Sequence, residues 1–429
     1  MNVKDFFEKI TGCKSIGEYK CGNNSLMYLF ECKKSPFGEK LSELLSAEGA
    51  VFAAEYEVGA LYSASYFYEN KHLFVSYSEN EGLLRVTIDK NTDLPSFERK
   101  NQPNLCPIRL WQFEVDHSLI DCGMCYLIQL SDYSFFVIDS AHVYSVNDDI
   151  RLYEFMRVRT PEDRRVRVAG WFFSHGHSDH IVKFLDILSF NKDIKIDGLY
   201  YNFAPVDHFS SVNWDESEIR HAEEFLQKTS ERRDIPKYTL HSGQRFFVGD
   251  IEILVLCTHE DVFPNSLDNY NDSSSVILVR VGDDTVLFTG DAGGEESRIL
   301  EIRFSELLKC DILQIAHHGH FGLSPEFYRR AKADVVLFPT TKIKYDEEFP
   351  VYEANRVAVS LAKHCFIASD GTVEFTFPLK NSAIKIYPDE TIENFDGIKN
   401  LWSYEYPDSF KENLKSRFSY RRKSHTVLY

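Results

Sequence analysis

Apolar and polar positions over the first 108 residues predict a small α+β region. Two helical patterns are carried by Val3, Phe6, Phe7 and Ile10 and by Leu41, Leu44 and Leu45. An aromatic-rich β-hairpin and a further strand are predicted over Ala60–Tyr68, His72–Tyr77 and Leu83–Ile88. The stretch from Lys100 to Pro107, with Pro103, Pro107 and two asparagines, is typical of a linker.

From about Arg109 the pattern changes to short apolar runs that alternate with helical stretches. The predicted strands are Cys125–Leu130, Phe135–Ile138, Trp171–Phe173, Gly198–Phe203, Ile251–Leu256, Ser275–Val281, Val286–Phe288, Ile312–Ala316 and Val335–Phe338. The predicted helices are Ser217–Thr229, Glu295–Leu308, Pro325–Ala331 and Val351–Lys363. This alternation favours a layered α/β (α+β) domain with buried strands.

These patterns divide the chain into three parts. We predict a small α+β N-terminal region of unknown role over residues 1–108 and a main domain over 109–389. A basic C-terminal extension over 390–429 follows, which is either a solvated tail or a contact for an acidic partner.

Composition and charge restrict the class of protein. The 429 residues are 43% hydrophobic and 27% charged, as in an ordinary globular protein, and carry a formal net charge of −18. This acidity does not favour a nucleic-acid partner, although it leaves one open, because phosphate contacts require a basic surface. It does not exclude a metal-centred site, because bound cations dominate the local field.

Membrane spans and disulfides are not expected. No run approaches 18 apolar residues, the first 24 positions lack the apolar core of a signal peptide, and the nine cysteines do not form a disulfide framework. We therefore expect a cytoplasmic protein with no membrane contact, and a homo-oligomer is left open. Cys122 and Cys125 have the spacing of a redox or zinc pair, but ordinary buried thiols are the preferred interpretation.

The sharpest chemical signal is the run Ser-His175-Gly-His177-Ser-Asp179-His180, directly after an apolar strand. A turn at a strand end can point several neighbouring side chains at one place. Neutral imidazole and carboxylate are ligands that Zn²⁺ prefers. The motif therefore predicts a metal site, with buried hydrogen-bonded histidines as the alternative.

Three later strands also end in candidate ligands. His259 follows Ile251–Leu256, Asp291 follows Val286–Phe288 and a glycine, and His317 and His318 follow Ile312–Ala316. Each signal is weak by itself. Strands of one sheet present their ends along one edge, so ligands far apart in sequence can converge there.

Together these motifs resemble the metallo-β-lactamase superfamily of hydrolases. The stretches Asn271–Asp291 and Asp311–Gly319 are similar to the branch that contains the metallo-hydrolase domain of the DNA-uptake competence protein. The resemblance covers roughly residues 109–385. It implies a four-layer αββα sandwich with the site at one edge of two facing sheets, and a small N-terminal α+β appendage outside it.

The resemblance also implies a set of ligands for two divalent metal ions, Zn²⁺ first, with Mn²⁺ or Fe as alternatives. His175, His177 and His259 would bind one ion; Asp179, His180 and His317 would bind the other, and Asp291 would bridge them. Strand alternation predicts that only one of His317 and His318 faces the metal, and His317 is preferred. Asp139 would orient the histidine loop.

The chemistry expected from such a centre is hydrolysis of an ester, most of all a phosphodiester or related phosphoester. Two cations about 3.5–4 Å apart activate water and hold the oxygens of an in-line displacement. The catalytic roles fall to Asp179 and Asp291, and the leaving-group proton to His318 or His320. His320 stands where the competence branch has a serine, and Phe349-Pro350 stands where it often has His-Pro.

Two other function classes remain open at this stage. A di-iron redox enzyme on the same scaffold is one, although such sites usually have a glutamate where this chain has Ser178. A non-catalytic metal-binding scaffold is the other. Within the hydrolase hypothesis, the substrate is a small molecule or a phosphoester, and six arginines between Arg151 and Arg167 form either a basic groove or a solvated loop.

Overall fold

The structure is a computed structural model that describes most of the chain. The described residues are 2–36, 39–90, 93–115, 122–141, 148–191, 193–205, 208, 216–267, 269–380 and 382–387. The predicted basic extension, residues 390–429, lies outside them.

The N-terminal region forms one antiparallel sheet of six strands in the order β1-β2-β6-β5-β4-β3. Its strands are β1 Ser15–Lys20, β2 Leu26–Glu31, β3 Val51–Val58, β4 Leu61–Tyr68, β5 Lys71–Ser78 and β6 Leu83–Asp89, with helices α1 Val3–Thr11 and α2 Glu39–Ala47. Glu69 and Asn70, between β4 and β5, have φ of 48° and 56°, which a type I′ hairpin turn requires. The predicted aromatic hairpin is therefore present, and Tyr66 and Tyr77 lie in the core of this region.

All strands of the other two sheets lie between residues 109 and 387. The larger sheet contains β7 Arg109–Gln112, β8 Cys125–Gln129, β9 Phe135–Asp139, β10 Arg167–Phe172, β11 Lys195–Ile196, β12 Leu199–Tyr201, β13 Lys237–Thr239, β21 Thr372–Thr376 and β22 Lys385–Tyr387. The smaller sheet contains β14 Arg245–Val248, β15 Ile251–Cys257, β16 Val276–Val281, β17 Asp284–Phe288, β18 Ile312–Gln314, β19 Val335–Phe338 and β20 His364–Ile367.

Seven helices accompany these sheets among the described residues. They are α3 Asp148–Val158, α4 Ser178–Phe190, α5 Glu216–Glu231, α6 Gly294–Phe304, α7 Pro325–Ala331, α8 Lys342–Glu348 and α9 Glu353–Leu361. None of the helices in the described part of the chain has the length and apolarity needed to cross a membrane.

Three apolar cores fix the order of the layers. One core joins the inner faces of the two sheets, with Phe136 from the larger sheet and Phe288 from the smaller one. A second lies between the larger sheet and α3 to α5, and a third between the smaller sheet and α6, α7 and α9. The result is a four-layer αββα sandwich, which confirms the predicted fold class. Because strands inside such a sandwich are covered on both faces, they read in sequence as continuous apolar runs.

The N-terminal sheet packs directly on the sandwich. Ser63 Oγ of β4 donates a hydrogen bond to the Gly243 carbonyl at 2.7 Å, and Ser96, which follows the N-terminal sheet, pairs with Phe247 in an isolated β-bridge. Arg303 on α6 forms an ion pair with Glu81 in the turn between β5 and β6, with 2.5 Å between Nε and Oε2. The contact between the two units therefore contains buried charged groups as well as backbone pairing.

Candidate metal centre

The candidate site lies where parallel strands of both sheets end. β9 and β10 are parallel neighbours in the larger sheet, and β17 and β18 are parallel neighbours in the smaller one. Asp139 closes β9, the motif from His175 to His180 follows β10, and Asp291 follows β17. Histidines 317 and 318 follow β18. Parallel neighbours end at the same edge of a sheet, so these side chains meet at one rim of the sandwich.

The histidine loop is held by close packing and by a helix start. A Cβ on Gly176 would lie 2.7 Å from the Tyr270 hydroxyl and 2.9 Å from Ala222 Cβ, so only glycine fits there. The first turn of α4 begins at Ser178, whose backbone N–H and hydroxyl both donate to Glu218, at 2.6 and 2.9 Å. This contact to α5 fixes the loop between strand and helix.

Asp139 contacts the histidine loop through both of its carboxylate oxygens. Its Oδ1 accepts the Ser174 backbone N–H at 2.8 Å, and its Oδ2 lies 2.7 Å from His180 Nδ1. Asp139 is fully buried and has φ of 54°, a strained conformation for a residue with a Cβ. The strain is sustained because both carboxylate oxygens are engaged by the loop.

Asp179, His180, Asp291 and His318 form the first group of potential ligands, with one donor atom of each within 4.8 Å of the others. His318 Nε2 lies 3.0 Å from Asp179 Oδ2 and 3.4 Å from Asp291 Oδ2. His180 Nε2 lies 3.3 Å from Asp291 Oδ2 and 3.3 Å from His318 Nε2. Two imidazole nitrogens and two carboxylates thus face one point.

His175, His177 and Asp291 form the second group, which shares Asp291 with the first. His175 Nε2 is 3.9 Å from Asp291 Oδ2, and the rings of His175 and His177 have centroids 4.6 Å apart. Asn271 adds an amide beside this group, because its Oδ1 lies 3.1 Å from His175 Nε2. Two ligand groups that share one carboxylate would fit two neighbouring cations of the kind that two-metal enzymes hold.

The hydrogen bonds around the first group fit a metal-binding role. His180 Nδ1 faces Asp139, and His318 Nδ1 lies 2.8 Å from the Pro339 carbonyl. With a cation bound, protons on these two Nδ1 atoms would leave both Nε2 atoms free to ligate it, as in metal-ligating histidines. Among the described residues, Asp291 Oδ1 is buried and has no hydrogen-bond partner. A cation would satisfy that oxygen.

The pKa values of these side chains are shifted by burial and by the charges of their neighbours. Burial would lower the pKa of the His180 imidazole, but the surrounding carboxylates, Asp291 first, raise it to about 10. Burial would raise the pKa of Asp291, yet His318 and His180 hold it well below its usual range. Burial lowers the pKa of His175, and the neighbouring imidazoles lower it further. The cluster therefore concentrates negative charge on Asp179 and Asp291.

His318, rather than the preferred His317, occupies the centre of the cluster. Both follow β18 in a 3₁₀ turn with positive φ, 50° for His317 and 55° for His318. His317 Nε2 is 4.0 Å from Asp291 Oδ2 and 3.1 Å from the Asn271 amide nitrogen, and its Nδ1 is 2.7 Å from the Phe321 carbonyl. Strand alternation does not apply in a left-handed turn, so both rings reach the site, one at its centre and one at its edge.

The structure does not bring His259 to the cluster. Its Nε2 lies 3.2 Å from Asn202 Oδ1 and accepts the Gly22 backbone N–H at 3.4 Å, and its ring contacts His208. The physical reason is strand order, because β15 is separated from β17 by β16. Neighbouring strands lie about 4.8 Å apart, so the end of β15 is displaced toward the N-terminal sheet.

His320 lies at the rim. Its Nδ1 is 3.1 Å from Glu348 Oε1, and it lines an open cleft of about 350 Å³. The other lining residues are Cys122, His177, Asp179, Glu218, Asn271, Asp291, His317 and His318. The candidate centre is thus reachable from solvent through this cleft.

Four polar residues at the site were not identified as site residues from the sequence. Asn271 links His175 to His317, Ser274 Oγ accepts the Asp291 backbone N–H at 3.0 Å, and Ser174 and Glu218 hold the histidine loop. Asn271 and Ser274 lie just before β16, the strand next to β17, so topology brings them to the rim. A lone Asn, Ser or Glu gives no signal of this in sequence.

Three of the six arginines before the motif are engaged by neighbouring groups of the fold. Arg151 is buried and pairs with Glu114 at 3.1 Å and Asp148 at 2.7 Å. Arg157 donates to backbone carbonyls of Thr160, Pro161 and Arg164, and Arg167 pairs with Asp132 and Asp197. Arg164 and Arg165, in contrast, are exposed.

Comparison with solved structures finds proteins with a similar chain path. They include the metallo-β-lactamase fold protein YhfI from Bacillus subtilis, with a TM-score of 0.39 and 14% identity over 61% of this chain and 97% of YhfI. A diphosphatase from the PhnP family has a TM-score of 0.35 and 14% identity over 63% of this chain and 98% of its own. CmlA, a diiron β-hydroxylase from Streptomyces venezuelae, has a TM-score of 0.35 and 14% identity over 65% of this chain and 55% of its own. No protein-family profile and no curated protein sequence matches the chain.

Proposed function

We propose that this protein is a metal-dependent hydrolase that uses two divalent cations to hydrolyse a phosphodiester or a related phosphoester. The observation that supports this most is the pair of ligand groups that share Asp291, whose Oδ1 is buried and lacks a partner within the described residues. The sequence resemblance to the competence-protein branch of the metallo-β-lactamase superfamily belongs to the same proposal.

Each cation would have its own ligands. His175, His177 and Asp291 would bind one, with Asn271 and His317 beside it, and Asp179, His180, His318 and Asp291 would bind the other. Imidazole and carboxylate together suit Zn²⁺ first and leave Mn²⁺ and Fe as alternatives. His259, which lies near Asn202, is not part of this proposed set.

Such a centre supplies activated water and charge stabilisation for the oxygens of the reacting phosphoryl group. The protein's own groups perform the positioning. Asp291 spans the two ligand groups, Asp139 holds His180 in one orientation, and Glu218 holds the start of α4. His320 lines the cleft and contacts Glu348, so we assign to it the delivery of a proton to the leaving oxygen.

The cleft favours a small substrate. Its volume of about 350 Å³ is near the lower end of the range for small-molecule sites. The net charge of −18 does not favour a nucleic acid, and both Arg151 and Arg167 are already paired with carboxylates of the protein. A small phosphodiester is therefore the substrate class that we propose.

The decisive experiment measures bound metal and turnover of bis(p-nitrophenyl) phosphate in wild type, Asp291→Ala and a control, Asp284→Asn. Asp284 and Asp291 flank β17 at opposite ends, and Asp284 accepts the Leu379 N–H at 2.8 Å, remote from the cluster. Loss of the shared carboxylate should lower turnover by at least roughly a thousand-fold, equivalent to about 4 kcal/mol, whereas Asp284→Asn should keep it.

Other outcomes would point elsewhere. Full turnover by chelated protein would refute the proposal. Tightly bound iron with oxygen-dependent chemistry would favour the di-iron alternative, although Ser178 donates to Glu218 and does not face the ligand groups. Bound metal with no turnover across phosphodiesters, phosphomonoesters, thioesters and β-lactams would leave the non-catalytic scaffold.

A further inference from the structure

A second cluster of histidines and carboxylates lies between the N-terminal sheet and the sandwich. His72 is on β5 and Asp89 is the last residue of β6, whereas His241 and Glu260 follow β13 and β15 of the sandwich. All four side chains are buried, with residue exposures of 0–3%. The cluster shares no residue with the centre at Asp291.

Three of these residues direct their donor atoms at one another. Asp89 Oδ2 is 2.9 Å from His72 Nδ1 and 2.7 Å from His241 Nε2, and the three donor atoms lie within 4.8 Å. Two imidazoles and one carboxylate are a ligand set that divalent zinc binds. In a tetrahedral zinc site the donor atoms are roughly 3.4 Å apart, so the ligands would separate by about half an ångström on binding.

Each of the three residues has its other polar atom fixed by a hydrogen-bond partner. His241 Nδ1 is 2.8 Å from Glu260 Oε2, and His72 Nε2 is 3.2 Å from Ser65 Oγ. Ser25 Oγ donates to Asp89 Oδ1. A carboxylate or hydroxyl behind each ligand is the support that metal-binding histidines and aspartates have in known sites.

Charge balance also favours a divalent cation. The neighbouring buried arginines, Arg85 and Arg303, are already matched by the carboxylates of Asp261 and Glu81. Asp89 and Glu260 therefore bring two further formal negative charges into a buried volume. One protonated imidazole would neutralise one of them, whereas one divalent ion neutralises both.

We propose that His72, Asp89 and His241 bind a structural divalent cation, zinc by its ligand set, that joins the N-terminal sheet to the sandwich. Two ligands come from the sheet and one from the sandwich, so the ion contributes its binding free energy to the contact between them. This inference is independent of the proposed hydrolase activity.

The test measures zinc by elemental analysis in a background in which His177, Asp291 and His318 are replaced by alanine, so that the cleft centre cannot bind. We expect this background protein to retain about one equivalent of zinc, and addition of His72→Gln to remove it. The matched control is His259→Gln, which removes a buried imidazole of the same contact without removing a proposed ligand. The background protein with His259→Gln should keep its one equivalent of zinc.

Two further readouts apply to the background protein itself, in case His72→Gln does not fold. X-ray absorption at the zinc edge should show nitrogen and oxygen ligands with two imidazoles and no sulfur. Chelation should lower the Tm, and added zinc should restore it. A zinc-free background protein with the same Tm in chelator and in zinc would overturn the proposal and leave a hydrogen-bonded imidazolium between two carboxylates. Failure of the hydrolase proposal would instead appear in the wild-type protein, as a lack of phosphodiester turnover or of metal beyond this one equivalent, and it would leave the zinc content of the background protein unchanged.

Discussion

Adjacent residues at the end of β18 have different positions relative to the candidate centre. His317 and His318 both have positive φ, and only His318 Nε2 lies within 3.4 Å of both Asp179 and Asp291. Non-glycine residues in this region cost about 1–3 kcal/mol each, which the surrounding structure must supply. Here the Pro339 and Phe321 carbonyls hold the two rings in place.

His318→Gln and His317→Gln form a matched pair at the residue scale. We expect His318→Gln to lose about one metal equivalent and roughly a thousand-fold in phosphodiester turnover, because a central ligand is removed. His317→Gln should keep both cations of the candidate centre, since its Nε2 is 4.0 Å from Asp291 and is engaged by Asn271. Elemental analysis of the two variants measures their metal content. Loss of metal from His317→Gln but not from His318→Gln would contradict this assignment and favour His317 as the ligand.

The Asp139→Asn variant tests whether a residue that is not itself a proposed ligand affects metal binding by orienting His180. The amide cannot accept hydrogen bonds at both Oδ positions from the Ser174 N–H and from His180 Nδ1, so the imidazole loses its fixed orientation. Metal affinity should fall roughly 10–100-fold while the fold is kept. Competition with a chromogenic chelator measures this change, and unaltered affinity would show that Asp139 only packs.

At the scale of elements, the site depends on where strands end and how closely they approach. Gly290, just after β17, has φ of 54°, and a Cβ there would lie 2.8 Å from Ser174 Cβ in the loop after β10. The two backbones can approach this closely because Gly290 has no Cβ. The contact joins the two sheets at the rim and sets the position of Asp291.

Gly290→Ala and Gly282→Ala distinguish the effect of the close contact with Ser174 from the effect of the left-handed backbone conformation. Gly282 has φ of 63°, but a Cβ there meets no atom within 4 Å. Both changes should cost about 1 kcal/mol from the left-handed backbone, and only Gly290→Ala should also weaken metal binding by displacing Asp291. Denaturation and metal titration of both variants test this, and equal metal affinities would contradict it.

At the scale of the whole molecule, buried charges hold the N-terminal sheet against the sandwich. Glu81, from the turn between β5 and β6, pairs with Arg303 on α6, which also contacts Asp261 at 2.7 Å. Burial would raise the pKa of Glu81, but the Arg303 guanidinium lowers it to about 2. A carboxylate whose pKa is lower in the folded state stabilises the fold above its unfolded pKa.

Glu81→Gln should therefore destabilise the protein in a pH-dependent way. The stabilisation by Glu81 is fully present above about pH 4.5, amounts to about 3 kcal/mol, and is lost as pH falls toward 2. The difference in free energy of unfolding between wild type and variant should be constant from pH 5 to neutrality and shrink below about pH 4.5. Glu79→Gln, an exposed change in the same turn, should stay within about 0.5 kcal/mol. A difference that does not depend on pH would contradict this account.

Much of this organisation could be predicted from local pattern. The apolar runs predicted strands that include Val335–Phe338 with its observed bounds, and Pro325–Ala331 is a helix as predicted. The run from His175 to His180 predicted a ligand cluster because its spacing concentrates donors within one loop. Asp139 and Asp291 could be placed at strand ends because apolar runs stop just before them.

The sequence alone determined a layered α/β domain with buried strands and the chemical types of most groups at the rim, because burial on both faces and polar residues at strand ends are visible in the local pattern. The αββα order of the layers was implied only by the family resemblance, and the structure shows it. Only the tertiary structure decided which of those groups meet. Because of the strand order, His259 lies away from the cluster. The left-handed turn after β18 places His318 at the centre of the cluster and His317 at its edge. The packing of the N-terminal sheet on the sandwich places His72 and Asp89 beside His241. Such contacts depend on the pairing and packing of segments distant in the chain, which local hydrophobic periodicity does not encode.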